Sequence, residues 1–339
     1  LTKPDAPSKE TSQGVQIHRV NHRLAYYVKQ DVTNTFRYLV RHRQTYDVLH
    51  VHMAFGHAVV AVVVARCLRK KCIIKIACAG EFGDLYNFSK FDGFDHALRI
   101  LYRADAIVAV SREVEQELLN YGFQPGRIIR IPNGVDTGYF QRNCSFPERN
   151  KVRFVLIGRR HPQKGIDTTL QAAKLLQNEG MGNHFEIKFY GEDYPEHNYQ
   201  NMAQRFGLTK VVEFFPFETD MLSVYRSAHC LLLPSRGEGL PNSLLEAMAM
   251  ELAAIVSRVS GTVDVVDDGE NGILIPSDSP EALARAMAFV IQNPDEAVRL
   301  GQNARQKVAT NFSLSSVAQQ YSELYHRLCD HNTPCETYG

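Results

Sequence analysis

The sequence predicts an α/β protein of two doubly wound parallel sheets, and three observations carry that expectation. Short apolar runs alternate with helical stretches along the 339-residue chain, the order that covers a parallel sheet with helices on both faces. The length suits two domains of ordinary size. The apolar run Cys230-Leu231-Leu232-Leu233 passes through a Gly- and Pro-containing loop into a helical pattern, as a buried parallel strand does when it feeds a crossover helix.

Residues 1–14 are polar, rich in Lys, Ser, Thr and Pro, and read as a loop or disordered lead-in. An alternating strand follows over 15–20, a helix over 31–43 with Phe36, Leu39 and Val40 on one face, and a strand over 46–52. A crossover helix over 55–68, a strand over 72–77, a helix near 94–103 and a strand over 106–110 continue the alternation. Ser111 caps a helix over 112–121, and the strand 127–131 ends in Pro132-Asn133-Gly134-Val135-Asp136. The irregular polar stretch 136–150 reads as a linker, giving a first domain over 15–148 and a second over 149–311. In the second, strands are expected over 152–158, 185–191, 211–215, 230–233, 254–257 and 272–275, with a helix over 167–177 and another opened by Ser279-Pro280-Glu281. A last amphipathic helix, 312–329, and a frayed tail make up 312–339.

Composition narrows the function. A net charge of +1 and the lack of a basic-aromatic pattern argue against a nucleic-acid partner. The longest apolar run, within 58–65, is too short to span a bilayer, and no signal peptide is visible. Seven scattered cysteines without a C-x-x-C pair suggest reduced thiols in a cytoplasmic protein and no zinc site. His50 and His52 share one strand face, but two histidines without a third ligand are more often structural, and no D-x-D motif is present for a nucleotide-bound cation. No G-x-G-x-x-G follows a strand and no Walker motif occurs.

The chemistry concentrates in Pro234-Ser235-Arg236-Gly237-Glu238-Gly239-Leu240-Pro241-Asn242-Ser243-Leu244-Leu245-Glu246-Ala247-Met248-Ala249. A helix opening after Pro241 aims unpartnered N–H groups at an anion. Glu238 lies before the turn and Glu246 about a turn and a half inside the helix, so the two carboxylates bracket that position.

This string, with seven residues between Glu238 and Glu246, resembles the E-x7-E signature of the retaining group 1 glycosyltransferases of family GT4, which have the GT-B fold. Leu156-Ile157-Gly158-Arg159-Arg160-His161-Pro162-Gln163-Lys164-Gly165 is similar to the family's G-R-x(4)-K-G segment, and the strings A-D-A-I-V-A-V-S and I-P-N-G-V-D resemble the close of its N-terminal domain. The resemblance covers about 15–328. It implies two Rossmann-like domains facing a cleft, with the C-terminal helix crossing back to the first.

By that resemblance Arg159 and Lys164 bind the diphosphate of a nucleotide sugar, and two fixed cations stabilise charge growing on the leaving group. Arg160 is the less secure phosphate ligand, because the match places that ligand directly after Gly158. Glu246 accepts from ribose hydroxyls, Glu238 sits by the transferred sugar, Gly239 and Leu240 offer backbone N–H groups, and Asn242 stands in the first helical turn. Phe217, in Phe215-Pro216-Phe217, stacks a base or belongs to the core; both readings stand. Taken without the family, the basic residues are solvated loop charges and the glutamates ordinary carboxylates favoured by the helix dipole. Gly80 and Glu81 are weak candidates for contact with sugar or acceptor, at a place where many members carry a His. The family's leading Gly-Gly loop has no counterpart in 1–14.

The resulting expectation is a metal-independent, cofactor-free glycosyltransferase that retains anomeric configuration and moves a sugar to a glycan or lipid-linked hydroxyl in cell-surface polysaccharide synthesis. The alternatives are a nucleotide-sugar epimerase of the same fold and an inactive nucleotide-sugar-binding homologue. The basic set Arg37, Arg41, Arg43, Arg66, Arg69, Lys70 and Lys71 reads either as a solvated face or as a peripheral dock for the anionic inner face of a membrane.

Overall fold

The computed structural model describes residues 8–12, 14–19, 29–148, 150–194 and 196–330. The chain divides into two compact units. The first takes the chain to Val110, Val114–Arg130 and the stretch from Ser322; the second takes Ser111–Glu113 and Ile131–Tyr321.

The chain opens with an antiparallel pair, β1 (Lys9–Ser12) and β2 (Val15–His18), Lys9 opposite His18 and Ser12 opposite Val15. The lead-in expected to lack structure over 1–14 therefore contains a strand. Its side chains are polar on both faces, so no alternation betrays it; adjacent pairing and an Arg19–Glu10 ion pair at 2.8 Å hold it.

Helix α1 (Lys29–Arg41), β3 (Val48–His52), α2 (Gly56–Leu68), β4 (Lys71–Ile76), α3 (Asp84–Ser89), α4 (Phe94–Leu101), β5 (Ala106–Ala109), α5 (Arg112–Asn120) and β6 (Ile128–Arg130) follow. Strands β3, β4, β5 and β6 form a four-stranded parallel sheet in that order. Helix α2 is rich in Val, a poor helix former in isolation; burial of Ala58, Val60, Ala61, Val62, Val64 and Ala65 overrides the propensity. It stops at Arg69, whose left-handed backbone turns its N–H back to Arg66 O.

The second unit is built on a six-stranded sheet in which every pairing is parallel. Its elements are β7 (Val152–Ile157), α6 (Ile166–Asn178), β8 (Phe185–Tyr190), α7 (Tyr199–Arg205), β9 (Val212–Phe215), α8 (Met221–Arg226), β10 (Cys230–Leu233), α9 (Asn242–Ala249), β11 (Ala253–Ser257), α10 (Thr262–Val265), β12 (Ile273–Ile275), α11 (Pro280–Gln292) and α12 (Pro294–Asn311). Phe154, Phe185, Ile187, Leu232 and Ile255 are fully buried in its core, each worth roughly 1.5–3 kcal/mol on leaving water. Ser279 Oγ accepts the Ala282 N–H ahead of Pro280, the cap its sequence announces.

The segment 136–150, read as a linker, is tied into the second unit. Arg142 donates to the carbonyls of Tyr225 and Met250 and stacks on Phe146. The last helix, α13 (Leu314–Cys329), belongs to the second unit as far as Tyr321 and to the first beyond it, where Tyr325 Oη meets His50 Nδ1 at 2.7 Å.

Candidate functional site

The strand order of the second unit, β12-β11-β10-β7-β8-β9, contains a reversal. From β7 the chain steps outward through β8 and β9, then returns to β10 on the other side of β7 and proceeds to β11 and β12. The loops leaving β7 and β10 therefore diverge at the carboxyl ends of adjacent strands, which opens a crevice at the topological switch point. Both sequence motifs lie on those two loops.

The loops are fastened to each other. Gly165 has φ +63°, and a Cβ there would stand 2.0 Å from Pro234 O. Gln163 Nε2 donates to Gly237 O at 2.7 Å, and Arg236 N returns a bond to Gln163 O at 2.8 Å. The Arg236 guanidinium grips both oxygens of Asp167, at 3.0 and 2.7 Å, and Asp278 at 2.7 Å. This lattice brings Lys164 Nζ to 2.6 Å from Glu238 Oε1, an oxygen that also accepts from Ser235 Oγ at 2.6 Å. Glu238 is only 6 % exposed, so its charge requires both partners.

Beyond Glu238 the backbone turns into α9 through Pro241, which is extended at the N-cap position. Among the described residues no acceptor takes the N–H of Gly239, Leu240, Asn242 or Ser243. Asn133 Nδ2 holds Leu240 O at 2.7 Å, and a Cβ on Gly261 would stand 1.5 Å from Gly239 O. Asn133, which belongs to the I-P-N-G-V-D string, and Gly261 meet the backbone of the Glu238 motif from distant stretches, contacts that no motif spells out. One and a half turns into α9, Glu246 Oε2 accepts from the fully buried Tyr225 hydroxyl at 2.7 Å. Burial pushes the Glu246 carboxyl above its ordinary range, and the Tyr225 bond opposes that rise.

The neighbouring arginines have separate fates. Arg159 is exposed, and among the described residues no ion pair or hydrogen bond engages its guanidinium. Arg160 is buried: it pairs with Asp193, donates to Phe215 O at 2.7 Å and lies over the Phe214 ring. Phe217 is 61 % exposed, whereas Phe215 stacks on Tyr190 with centroids 4.9 Å apart. Of the two aromatic residues, Phe215 has the packing partner and Phe217 the open face.

In the first unit Gly80 and Glu81 lie in a short 3-10 turn, with Gly80 N donating to Glu117 Oε2 at 2.6 Å and Glu81 exposed. Nearby Asp84 is buried and accepts the Ala77 N–H at 2.9 Å; burial pushes its carboxyl up to about 6. His50 and His52 stack with ring centroids 4.9 Å apart. Among the described residues no three His, Cys, Asp or Glu groups gather as metal ligands, and no helix is long and apolar enough to cross a membrane. Of the basic set, Lys70 pairs with Asp47 at 2.7 Å, Lys71 with Asp105 at 3.6 Å, and Arg66 donates to Arg103 O, while Arg37, Arg41 and Arg43 are exposed.

Two Rossmann-like units, each on a parallel sheet with helices, place the chain in the GT-B fold class. The family model "Glycosyl transferases group 1" matches residues 141–307, and "Glycosyltransferase Family 4" matches 2–139. With the two models between them taking in nearly the whole chain, the protein belongs to the group 1 glycosyltransferases of family 4. The D-inositol 3-phosphate glycosyltransferase of Corynebacterium glutamicum is 26% identical over 259 residues, 71% of this chain but 62% of that relative. Among solved structures, sucrose-phosphate synthase of Thermosynechococcus elongatus superposes with a TM-score of 0.78 at 20% identity, over 96% of this chain and 87% of its own. HepE of Anabaena in complex with UDP-glucose gives 0.75 at 18% identity, over 86% of this chain and 82% of its own.

Proposed function

We propose that the protein is a retaining glycosyltransferase, moving a sugar from a nucleotide-sugar donor to a hydroxyl of a glycan or lipid-linked acceptor in cell-surface polysaccharide assembly. The observation that carries this reading is the Lys164–Glu238 pair at the switch point, 2.6 Å across and beside the open N–H groups that begin α9. In this reading the diphosphate lies against Arg159, Lys164 and the N–H groups of Gly239, Leu240, Asn242 and Ser243. Lys164 carries three N–H donors, so a bond to Glu238 leaves others for phosphate oxygens.

Glu238, anchored by Ser235 and Lys164, faces the transferred sugar, where its carboxylate binds a hydroxyl and stabilises developing oxocarbenium charge. Glu246 takes the ribose hydroxyls, and Phe217 offers its open ring to the base. The bond between C1 and the leaving phosphate oxygen breaks while the acceptor oxygen bonds to C1 from the same face. The acceptor proton passes to the departing phosphate oxygen, so no protein nucleophile is required. Arg159 and Lys164 supply the positive charge that offsets the leaving group, and the reaction proposed calls on no metal. The acceptor is assigned to the first unit, with Gly80 and Glu81 as its contacts and the exposed Arg37, Arg41 and Arg43 as a dock for anionic lipid at the cytoplasmic face of a membrane.

UDP-glucose is the first donor to test, because the structurally similar HepE is seen in complex with it. Release of UDP, continued in EDTA and lost on Lys164→Ala and Glu238→Ala, supports the reading. Formation of an altered sugar nucleotide with no UDP released would make the protein an epimerase. Tight donor binding without turnover for any UDP-, GDP- or ADP-sugar would make it a binding homologue.

A further inference from the structure

Tyr225 stands outside both sequence motifs, yet it makes the one hydrogen bond that Glu246 receives among the described residues. Its ring is fully buried, set edge-on to Phe140 with centroids 5.9 Å apart, and its backbone carbonyl is held by Arg142 Nη2 at 2.9 Å. The hydroxyl also lies 3.3 Å from Ser243 O in the first turn of α9. Tyr225 is therefore fixed at both ends, and the group it reaches is a half-buried carboxylate with one oxygen, Oε2, taken and the other, Oε1, accepting nothing from the described residues.

Resting on the donor-site reading above, we propose that Tyr225 is a positioning residue: its hydroxyl pins Glu246 Oε2, so that Oε1 is held for the vicinal hydroxyls of the nucleotide ribose. A carboxylate on a side chain with three rotatable bonds otherwise samples several rotamers, and that freedom must be given up when the ribose binds. A hydrogen bond made beforehand removes that loss from the binding step. It also favours the ionised carboxylate, the form that accepts two hydroxyl donors at once.

Arg226, next to Tyr225 on α8, leaves its buried Nε without a hydrogen-bond partner among the described residues, while two other charged groups nearby are engaged with carbonyls. Arg142 donates to carbonyls of Tyr225 and Met250, and Arg305 on α12 donates to the carbonyls of Ala249 and Phe140. Burial and the Tyr225 bond are the two influences acting on this carboxyl, in opposite directions, burial being the larger. Removing the Tyr225 hydroxyl raises the Glu246 carboxyl further, and nucleotide binding then weakens at a higher pH than in the parent protein.

The test uses calorimetric titration of the whole chain with UDP, GDP and ADP, continued with whichever binds, and with the 2′,3′-dideoxy form of the same nucleotide. Tyr225→Phe preserves the ring and is expected to weaken the ribonucleotide roughly tenfold, to leave the dideoxynucleotide unchanged, and to move the acid limb of binding to higher pH. In a Glu246→Gln background the same substitution is expected to add nothing, because its partner carboxylate is gone. Equal weakening of both nucleotides, or an undiminished Tyr225→Phe effect in Glu246→Gln, reduces Tyr225 to a structural core residue and overturns the proposal while the donor site stands. If the parent protein binds none of the three nucleotides, the donor-site reading itself falls and takes this one with it.

Discussion

Lys164 Nζ and Glu238 Oε1 lie 2.6 Å apart although 74 residues separate them in the chain, and Ser235 Oγ shares the same carboxylate oxygen. The pair is sheltered, with side-chain exposures of 18% and 7%, so it is not a surface ion pair of negligible worth. Removing Lys164 leaves a buried carboxylate with a hydroxyl as its remaining hydrogen-bond partner. Lys164→Ala is expected to lower stability by about 3–5 kcal/mol and turnover by about 10²–10³-fold. Lys164→Met combined with Glu238→Gln removes both charges and should recover most of the melting temperature but none of the turnover. Recovery of turnover in the double variant would show the pair to be scaffolding alone.

The adjacent arginines should separate cleanly. Arg159 has an exposed guanidinium that no described residue engages, while Arg160 is buried against Phe214 and bonded to Phe215 O and Asp193. Arg159→Ala is expected to change stability by no more than about 0.5 kcal/mol and to reduce kcat/KM for the donor by roughly 10–100-fold. Arg160→Ala is expected to lower the melting temperature by several degrees, because it removes a buried side chain together with its bond to Phe215 O, its pairing with Asp193 and its packing over Phe214. Thermal melts alongside donor kinetics on the two variants decide it, and the opposite pattern would exchange the roles assigned to them.

Two glycines test how closely the motif loops must approach. Gly165 and Gly180 both have positive φ, +63° and +82°, but a Cβ on Gly165 meets Pro234 O at 2.0 Å, while one on Gly180 meets nothing within 4 Å. Gly180→Ala should therefore cost only the backbone strain, about 1–2 kcal/mol, with nucleotide affinity intact. Gly165→Ala must also push the β7 and β10 loops apart, so it should cost more and weaken nucleotide binding at least tenfold. Equal behaviour of the two variants in urea unfolding and nucleotide titration would mean that the contact with Pro234 is not needed.

The two loops were legible in the sequence because each couples a glycine-bearing turn to charged residues at a strand end, a local pattern. What fastens them was not legible. Asn133 and Tyr225 act on a carbonyl and on a carboxylate from stretches remote from the two loops, Gln163 reaches across from inside one motif to the other, and contacts of that kind impose no periodicity. Of the opening hairpin, β2 shows its alternation through Val15 and Ile17, whereas β1 is short, polar on both faces and paired only with its neighbour, and so lacks the apolar alternation that marks a half-buried strand. The strands β10 and β11 are readable because burial on both faces dictates their apolar runs, and β8 because buried Phe185, Ile187 and Phe189 alternate with half-buried Glu186, Lys188 and Tyr190.

Asp84 and His50 give the first unit two opposed pH dependences. Burial raises the Asp84 carboxyl from 3.8 to about 6, even though the N–H groups of Ala77 and Ala54 pull it down. A folded value above the unfolded one means that the Asp84 contribution is fully present below pH 3.8 and is lost as pH rises through 6. The loss is on the order of 2–3 kcal/mol by the size of the shift. His50 runs the other way: burial first, then His52 and Lys75, lowers it from 6.5 to about 4. Its contribution is present above pH 6.5 and is lost as pH falls through 4. Between pH 4 and 6 the two slopes oppose each other in the parent protein. Asp84→Asn should remove the rising acid-side term, so that the variant loses stability relative to the parent as pH is lowered from 6.5 to 4. His50→Asn should gain relative to the parent over the same interval. Urea midpoints measured for both variants across that range test the signs; a parent-minus-variant difference that stays flat with pH for Asp84→Asn would show that this carboxyl ionises in the folded protein as readily as in the unfolded chain.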